Sequence, residues 1–198
     1  MTYELLLALA LFAFVSSITP GPNNLMLMAS GANFGLRRTL PHMLGVCLGF
    51  TFMVALVGAG LMQVFDMVPY SHMALKVASV GYLLYLAWKI ANAGPAKGRD
   101  GSGRPMTFLQ AAAFQWVNPK AWAMALTAIT AYAPDRSLLA VAVVAGVFGL
   151  VNLPSVTSWA VLGQQMARVL TNPRRLMIFN WTMAGLLVLS LYPVIRGH

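Results

Sequence analysis

The sequence has few charged residues and very few acids. Only 9% of its 198 residues are charged and four are Asp or Glu, whereas 59% are hydrophobic. A soluble domain carries about a quarter charged residues, so this chain has too little polar surface to cover its apolar residues in water. The mean hydropathy of +0.73 agrees with this. The composition therefore predicts a protein that lies in a lipid bilayer.

Residues needed for several kinds of chemistry are also scarce. The single cysteine, Cys47, lies in an apolar stretch, which excludes a disulfide framework, a thiol pair for electron transfer and a Cys/His metal site. No nucleophile stands beside a plausible base in the apolar stretches, which argues against a membrane-embedded enzyme. We therefore expect no catalytic residue, no bound metal and no cofactor. The first apolar stretch lacks a basic start and a small-residue cleavage site, which predicts that it stays in the membrane.

Six apolar stretches are long enough to cross a bilayer as helices, which takes about 20 residues each. They are residues 5–32, 39–65, 70–91, 107–133, 137–167 and 176–195. Residues 92–104 are rich in glycine and charge and cannot span. The prediction is an all-α polytopic membrane protein with six transmembrane helices in one transporter domain. Its parts are a first repeat (1–91), a cytoplasmic linker (92–106) and a second repeat (107–198).

The positive charge alternates between loops. The net charge of +9 would suggest a nucleic-acid partner only if the basic residues shared one soluble face, so we expect no nucleic acid. With the N-terminus outside, three basic residues lie outside (Lys76, Arg136, Arg196) and nine lie in the cytoplasm: Arg37, Arg38, Lys89, Lys97, Arg99, Arg104, Arg168, Arg174 and Arg175. The positive-inside rule therefore predicts that both termini are outside.

The two halves of the chain share sequence features. Three helices on either side of the linker would enter the membrane in opposite directions, as in transporters built from inverted repeats. Pro20 and Pro119 lie 99 residues apart, each near an asparagine, and Arg37 and Arg136 share that spacing. The sequence thus predicts two inverted three-helix repeats, although Pro154 in the fifth stretch has no counterpart in the second.

The first apolar stretch contains a segment that cannot continue a helix, Thr19-Pro20-Gly21-Pro22-Asn23-Asn24. Each proline lacks an amide hydrogen and collides with the carbonyl four residues back, so the carbonyls of Ser16 and Ile18 lose their partners. Such groups cost several kcal/mol each in hydrocarbon, so we expect this backbone to face a cavity or polar groups. An ordinary proline kink is the alternative.

A second break, Asn118-Pro119-Lys120, places a lysine fourteenth in the fourth stretch and near the bilayer midplane. A lysine there costs roughly 2.5–3.5 kcal/mol on insertion scales, which makes it a functional hypothesis by default. The alternative is that Lys120 snorkels, but the inner end lies about 20 Å of helix away, too far for one side chain. No acid lies in any stretch to pair with it. Either Lys120 is held neutral by desolvation, or its counter-ion arrives with the substrate.

These features favour an amino acid as substrate. We expect its carboxylate to bind Lys120 and the amides of Asn23, Asn24, Leu25 and those after Pro119, because half-helix N-termini attract anions. Its ammonium would bind the carbonyls of Ser16, Ile18 and Gln115. A basic substrate would need a buried carboxylate, so a neutral amino acid is favoured. The predicted substrate-binding residues are Thr19, Pro20, Gly21, Pro22, Asn23, Asn24, Gln115, Asn118, Pro119, Lys120 and Asn152.

Two further polar positions allow alternatives. Asn152 lies beside Pro154 and could line the same cavity together with Ser155, Thr157 and Ser158, or these residues could serve helix packing. His42 could relay protons or be a plain interfacial histidine.

Several motifs together resemble the LysE/RhtB family of amino-acid exporters over nearly the whole chain. They are Thr19-Pro20-Gly21-Pro22-Asn23, the glycines Gly45 and Gly49, Trp88-Lys89, and Asn118-Pro119-Lys120. The resemblance implies six spans in a bacterial inner membrane and amino-acid export from the cytoplasm, driven by the proton motive force. The homoserine, threonine and cysteine exporters are more similar than the basic amino-acid exporters. Export of another small solute or a metal ion is the alternative. Besides the substrate and membrane lipid, the expected partners include further copies in a homo-oligomer. Proton coupling could run through Lys120, His42, water or the substrate.

Overall fold

The computed structural model describes residues 1–61, 63, 67–93, 104–133, 135 and 137–196. These residues fold almost entirely into helices and the described part contains no strand. The helices are α1 Tyr3–Ile18, α2 Pro22–Phe34, α3 Leu36–Gly58, α4 Ser71–Ala91, α5 Phe108–Phe114, a 3-10 turn Gln115–Val117, α6 Pro119–Tyr132, α7 Leu138–Ala167, α8 Pro173–Leu189 and α9 Tyr192–Arg196.

Side chains fix where several helices begin. The first amides of a helix have no partner within it, and Ser, Thr, Asn and Asp side chains supply one. Thr107 and Gln110 form a reciprocal capping box at α5, and Asn118 and Asn172 cap α6 and α8, each of which opens on a proline. Between α2 and α3 the chain turns at Gly35, whose φ of 76° favours glycine.

Four of the predicted spans are recognisable from helix length and composition. Helices α3, α4 and α7 are each long and apolar enough to cross a membrane, and α1 with α2 meets the same test as one span bent by 54°. Helices α5 and α6 are separated by the break at Asn118. Helix α8 has 17 residues, or about 25 Å, against a hydrocarbon core of about 30 Å. The six-span count, the inverted repeat and the orientation stay predictions.

The predicted sixth span departs from the structure. The sequence predicted one continuous helix over residues 176–195, but α8 ends at Leu189 and α9 begins at Tyr192. A proline at position 193 lacks the amide that would donate to the Leu189 carbonyl in a continuous helix, and α8 ends at that residue. In contrast, the predicted spans 70–91 and 137–167 correspond closely to α4 and α7.

Glycines bring helix backbones into contact around α2 and α3. A Cβ on Gly31 of α2 would lie 2.1 Å from the carbonyl oxygen of Ala160, and one on Gly163 of α7 would lie 2.0 Å from the carbonyl oxygen of Met28. In α3, Gly45 faces the Phe108 backbone of α5 in the same way. Small residues at helix interfaces allow this approach in membrane proteins. Helix α2 is therefore held tightly against the long helix α7.

Apolar side chains fill the interior of the protein and also cover much of its outer surface. Phe148 of α7 is fully buried and makes edge-to-face contacts with Phe12 and Phe50, with ring centroids 6.0 and 5.4 Å apart. On the outside, Leu109 and Leu150 are each more than three-fifths exposed. Soluble monomers rarely leave large apolar patches in water, whereas a lipid-facing surface requires them.

Candidate functional site

The two predicted breaks lie side by side. Asn23 Nδ2, at the start of α2, donates to Gln115 Oε1 at 2.8 Å, and Gln115 Nε2 donates back to Asn23 Oδ1 at 3.1 Å. Gln115 is fully buried in the 3-10 turn that precedes the second break, and its Nε2 also donates to the Ala111 carbonyl at 2.9 Å. The break segments thus form one polar centre, although they are far apart in sequence.

Lys120 reaches from the second break to the first. Its ammonium donates to the carbonyl of Thr19 and lies 3.5 Å from that of Pro20. These carbonyls follow the last turn of α1, where the helix leaves acceptors unpaired and where the helix dipole favours a cation. The described acids are Glu4, in the first turn of α1, and Asp135, between α6 and α7, so neither lies at the breaks. Backbone oxygens hold the lysine instead.

Other carbonyls at the first break accept hydrogen bonds from side chains. Trp159 Nε1 of α7 donates to the Ile18 carbonyl at 3.0 Å. Asn24 Nδ2 donates to the carbonyls of Ser17 and Thr19 at 2.8 and 2.9 Å. Trp159 had not been predicted as part of the site, because a tryptophan in an apolar stretch gives no signal that distinguishes it from a packing residue.

Two carbonyls expected to receive a substrate ammonium already have protein partners. The Ile18 carbonyl accepts from Trp159, and the Gln115 carbonyl accepts from the Asn118 amide at 3.3 Å. The expectation that these oxygens are unpaired was wrong. The reason is that a carbonyl freed by proline costs free energy in a dry environment, so the fold supplies a donor.

The backbone amides in the first turns of α2 and α6 differ in the hydrogen-bond acceptors that the protein supplies to them. In α2, the Leu25 amide donates to the Gly21 carbonyl at 3.0 Å, so only the amides of Asn23 and Asn24 precede the first α-helical bond. In α6, the Asn118 side chain accepts from the Lys120 amide at 3.2 Å, and the Asn118 carbonyl accepts from Ala121 at 3.0 Å. The prediction of free amides after Pro119 was therefore wrong, because asparagine is a strong N-cap.

A small cavity, here called the break pocket, lies between the two breaks. Its volume is about 30 Å³, and its lining includes Ser17, Gly21, Asn23, Asn24, Asn118, Lys120 and Asn152. That volume accommodates one or two water molecules, which is less than an amino acid requires. In this conformation the break pocket is too small for an amino acid, which would fit only if the two breaks separated.

The structure places the remaining predicted residues as follows. Pro22 and Pro119 are the first residues of α2 and α6, where their missing amide is not needed. Asn152 is buried and lines the break pocket. Ser155 and Thr157 instead donate to carbonyls four residues back in α7, which favours their packing alternative. His42 is only 1% exposed, so its side chain is enclosed by the protein.

The fold and site define a helical protein with several membrane-compatible spans and a lysine between two broken segments. The family described as LysE type translocator matches residues 14–191. The cysteine/O-acetylserine efflux protein of Klebsiella pneumoniae subsp. pneumoniae is 30% identical over 195 residues, which cover 95% of each chain. The protein of that name from Escherichia coli K12 is 30% identical over 174 residues, 85% of this chain and 87% of the relative. No solved structure shows a significant match.

This chain belongs to the LysE family of translocators. Family membership, predicted from the Thr19–Asn23 and Asn118–Lys120 motifs with the glycines of α3 and the Trp88-Lys89 pair, is confirmed.

Proposed function

We propose that this protein exports small neutral amino acids or their derivatives from the bacterial cytoplasm across the inner membrane. Cysteine and O-acetylserine are the first candidate substrates, because the relatives with about 30% identity are named for their efflux. The observation that carries the proposal is the position of Lys120, whose ammonium lies on carbonyls at the first break. The protein would act as one multi-pass domain of six spans with both termini outside, driven by the proton motive force.

An exchange of ammonium groups would bind the substrate. The Lys120 ammonium now occupies the carbonyls of Thr19 and Pro20. When the break pocket widens, the ammonium of an amino acid takes over these oxygens, and Lys120 turns to the substrate carboxylate. The backbone amides of Asn23 and Asn24 then supply further donors to that carboxylate, as half-helix N-termini do for anions. The substrate thereby replaces each contact that Lys120 gives up.

The described lining of the break pocket contains no carboxylate, which favours a substrate with a neutral side chain. The charged group in the lining of the break pocket is Lys120, among residues that are otherwise uncharged. A lysine or arginine substrate would bring a second positive charge with no acid to offset it, which is costly in a medium of low dielectric constant.

The test is export from cells that overproduce the protein and are loaded with dipeptides. We expect the cells to release cysteine, O-acetylserine, threonine or homoserine faster than cells with the empty vector, and to release lysine and arginine at the vector rate. The proposal is contradicted if the cells release none of these neutral amino acids faster than the vector control, or if they release basic amino acids preferentially.

The contact between Gly21 and Lys120 gives a more local prediction. A Cβ on Gly21 would lie 2.7 Å from Cδ and 3.1 Å from Nζ of Lys120, so alanine at position 21 displaces the lysine. The φ of Gly21 is −174°, an extended backbone that alanine adopts without strain. A hydrogen bond to a charged group contributes about 1.5–3 kcal/mol, so Gly21→Ala should lower export about tenfold or more at normal membrane levels.

The matched control is Gly146→Ala, because a Cβ at Gly146 meets nothing within 4 Å. Its export should equal that of the unmodified protein. Equal export by Gly21→Ala and Gly146→Ala would show that the position of Lys120 does not matter for transport.

A further inference from the structure

A second and larger cavity lies at the other end of α2. It has a volume of about 260 Å³, a little under the range of about 300–1,000 Å³ for pockets that hold drug-sized ligands. We call it the basic-end cavity; its described polar lining residues are Ser30, Asn33, His42, Lys89, Asn92 and Arg104. Unlike the break pocket, it is large enough for a small organic molecule without any change in conformation.

The polar side chains of this cavity differ in whether they have hydrogen-bond partners within the protein. Ser30 Oγ is hydrogen-bonded to Thr39 Oγ1 at 2.9 Å, and Asn33 exchanges hydrogen bonds with Asn180 at 2.8 and 3.3 Å. His42 is 1% exposed, and no described residue forms a hydrogen bond with either of its ring nitrogens. A buried polar group without a partner costs about 1–3 kcal/mol, so its retention in the wall of a cavity points to a ligand that supplies the missing bond.

The charges of the cavity indicate which chemical group that ligand carries. Lys89 at the end of α4 is half-buried, and Arg104 precedes α5, so two cationic side chains line the cavity. The described lining residues include no acid. Lys89 and His42 line the same cavity. Cations with a neighbouring imidazole donor suit a carboxylate.

The cavity also favours a positively charged group on the ligand, because two helices end there. Helices α2 and α4 both terminate there, at Phe34 and Ala91, and a helix C-terminus attracts positive charge. The apolar part of the lining includes Met26, Leu86 and Met106. A small zwitterion with a carboxylate, an ammonium and a short side chain matches all three features.

We propose that the basic-end cavity is a separate binding site for the carboxylate of a small amino acid, held by Lys89, Arg104 and His42. The proposal rests on the proposed function for the site's place in transport. The first turns of α3 and α8, at this end, carry Arg37, Arg38, Arg174 and Arg175, so the positive-inside rule makes it the cytoplasmic end. The site is then the entry site of the exporter. Helix α2 leads from it to the break pocket, since Asn33 and Asn24 are nine residues, or about 14 Å, apart.

Calorimetric binding of O-acetylserine to the purified full chain in lipid nanodiscs tests the site directly. Lys89→Met should weaken binding about tenfold or more, since a hydrogen bond to a charged group contributes about 1.5–3 kcal/mol. Lys89→Arg should keep most of the affinity. Lys76→Met is the matched control, because Lys76 is on the same helix but at its opposite end, where it donates to the Ile195 carbonyl at 3.3 Å. Unchanged binding by Lys89→Met would overturn the proposal.

Transport kinetics separate this site from the break pocket. In inside-out vesicles, Lys89→Met should raise KM for O-acetylserine and leave kcat nearly unchanged, and His42→Gln should raise KM less because glutamine retains a donor. An unchanged KM in Lys89→Met would count against an entry site. If the intact protein binds O-acetylserine and Lys89→Met does not, but neither transports it, the cavity proposal stands and the proposed function fails.

Discussion

Replacing Lys120 by methionine is expected to lower export of neutral amino acids at least about 30-fold, the effect of removing one partner from a desolvated charge pair worth roughly 2 kcal/mol or more. Methionine keeps the length and apolar stem of the side chain but has no ammonium. It therefore removes the group that we propose binds the substrate carboxylate, and it leaves the carbonyls of Thr19 and Pro20 without their lysine donor. The measurement is release of labelled amino acid from dipeptide-loaded cells at matched membrane levels of the two proteins.

The Lys120→Arg variant tests whether the positive charge at position 120 is sufficient for export or whether the shape of the side chain also matters. Arginine retains the positive charge but has a wider planar head, and the break pocket has a volume of only about 30 Å³. We expect export by Lys120→Arg to fall between that of the unmodified protein and that of Lys120→Met. If Lys120→Met exports at the unmodified rate, the lysine is structural and the break pocket is not the substrate site.

Replacing Gly163 by alanine is expected to destabilise the protein strongly, because the added methyl group would meet the backbone of another helix. Its Cβ would lie 2.0 Å from the Met28 carbonyl oxygen and 3.0 Å from the Ala32 amide nitrogen. Both are backbone atoms, so no side chain can move aside and α2 must separate from α7. Overpacking costs about 1–3 kcal/mol even where side chains can adjust, so we expect at least that loss.

Gly146→Ala on the same helix provides the comparison for stability as it does for export. Alanine is favoured over glycine in a helix interior by about 1 kcal/mol, and a Cβ at Gly146 meets nothing within 4 Å. Thermal unfolding in detergent should therefore give opposite signs: a lower midpoint for Gly163→Ala and an equal or higher one for Gly146→Ala. Equal midpoints for both variants would mean that α2 and α7 do not pack as closely as the structure has them.

Local sequence rules predicted much of the helical framework. Helix α4 at Ser71–Ala91 corresponds to a predicted span over 70–91, and α7 at Leu138–Ala167 to one over 137–167, because a predominantly apolar run in a bilayer must satisfy its backbone groups internally. The breaks were predictable for a similar reason, since prolines remove amide donors at known positions. The ending of α8 at Leu189 was missed, although a proline at 193 was visible in the sequence.

The contacts within the candidate site were harder to predict. That Asn23 pairs with Gln115, and that Trp159 reaches the Ile18 carbonyl, depends on how distant helices pack, and no local pattern encodes it. The capping of α6 by Asn118 was predictable in principle, because Asn-Pro is a typical start of a helix. We assigned those amides to the substrate instead, and the cap already uses them.

The reciprocal hydrogen bonds between the side chains of Asn23 and Gln115 also limit how pH and the membrane potential can act at the breaks. Both groups are amides, so the bond carries no net charge, and neither pH nor the membrane potential changes its strength directly. Moving a charge through the potential changes its energy by about 2.3 kcal/mol per 100 mV, whereas moving a neutral pair changes it very little. Among the described residues that line the break pocket, Lys120 is the charged one. Any voltage dependence that arises at the breaks is therefore a property of Lys120 and of the substrate that we propose binds there.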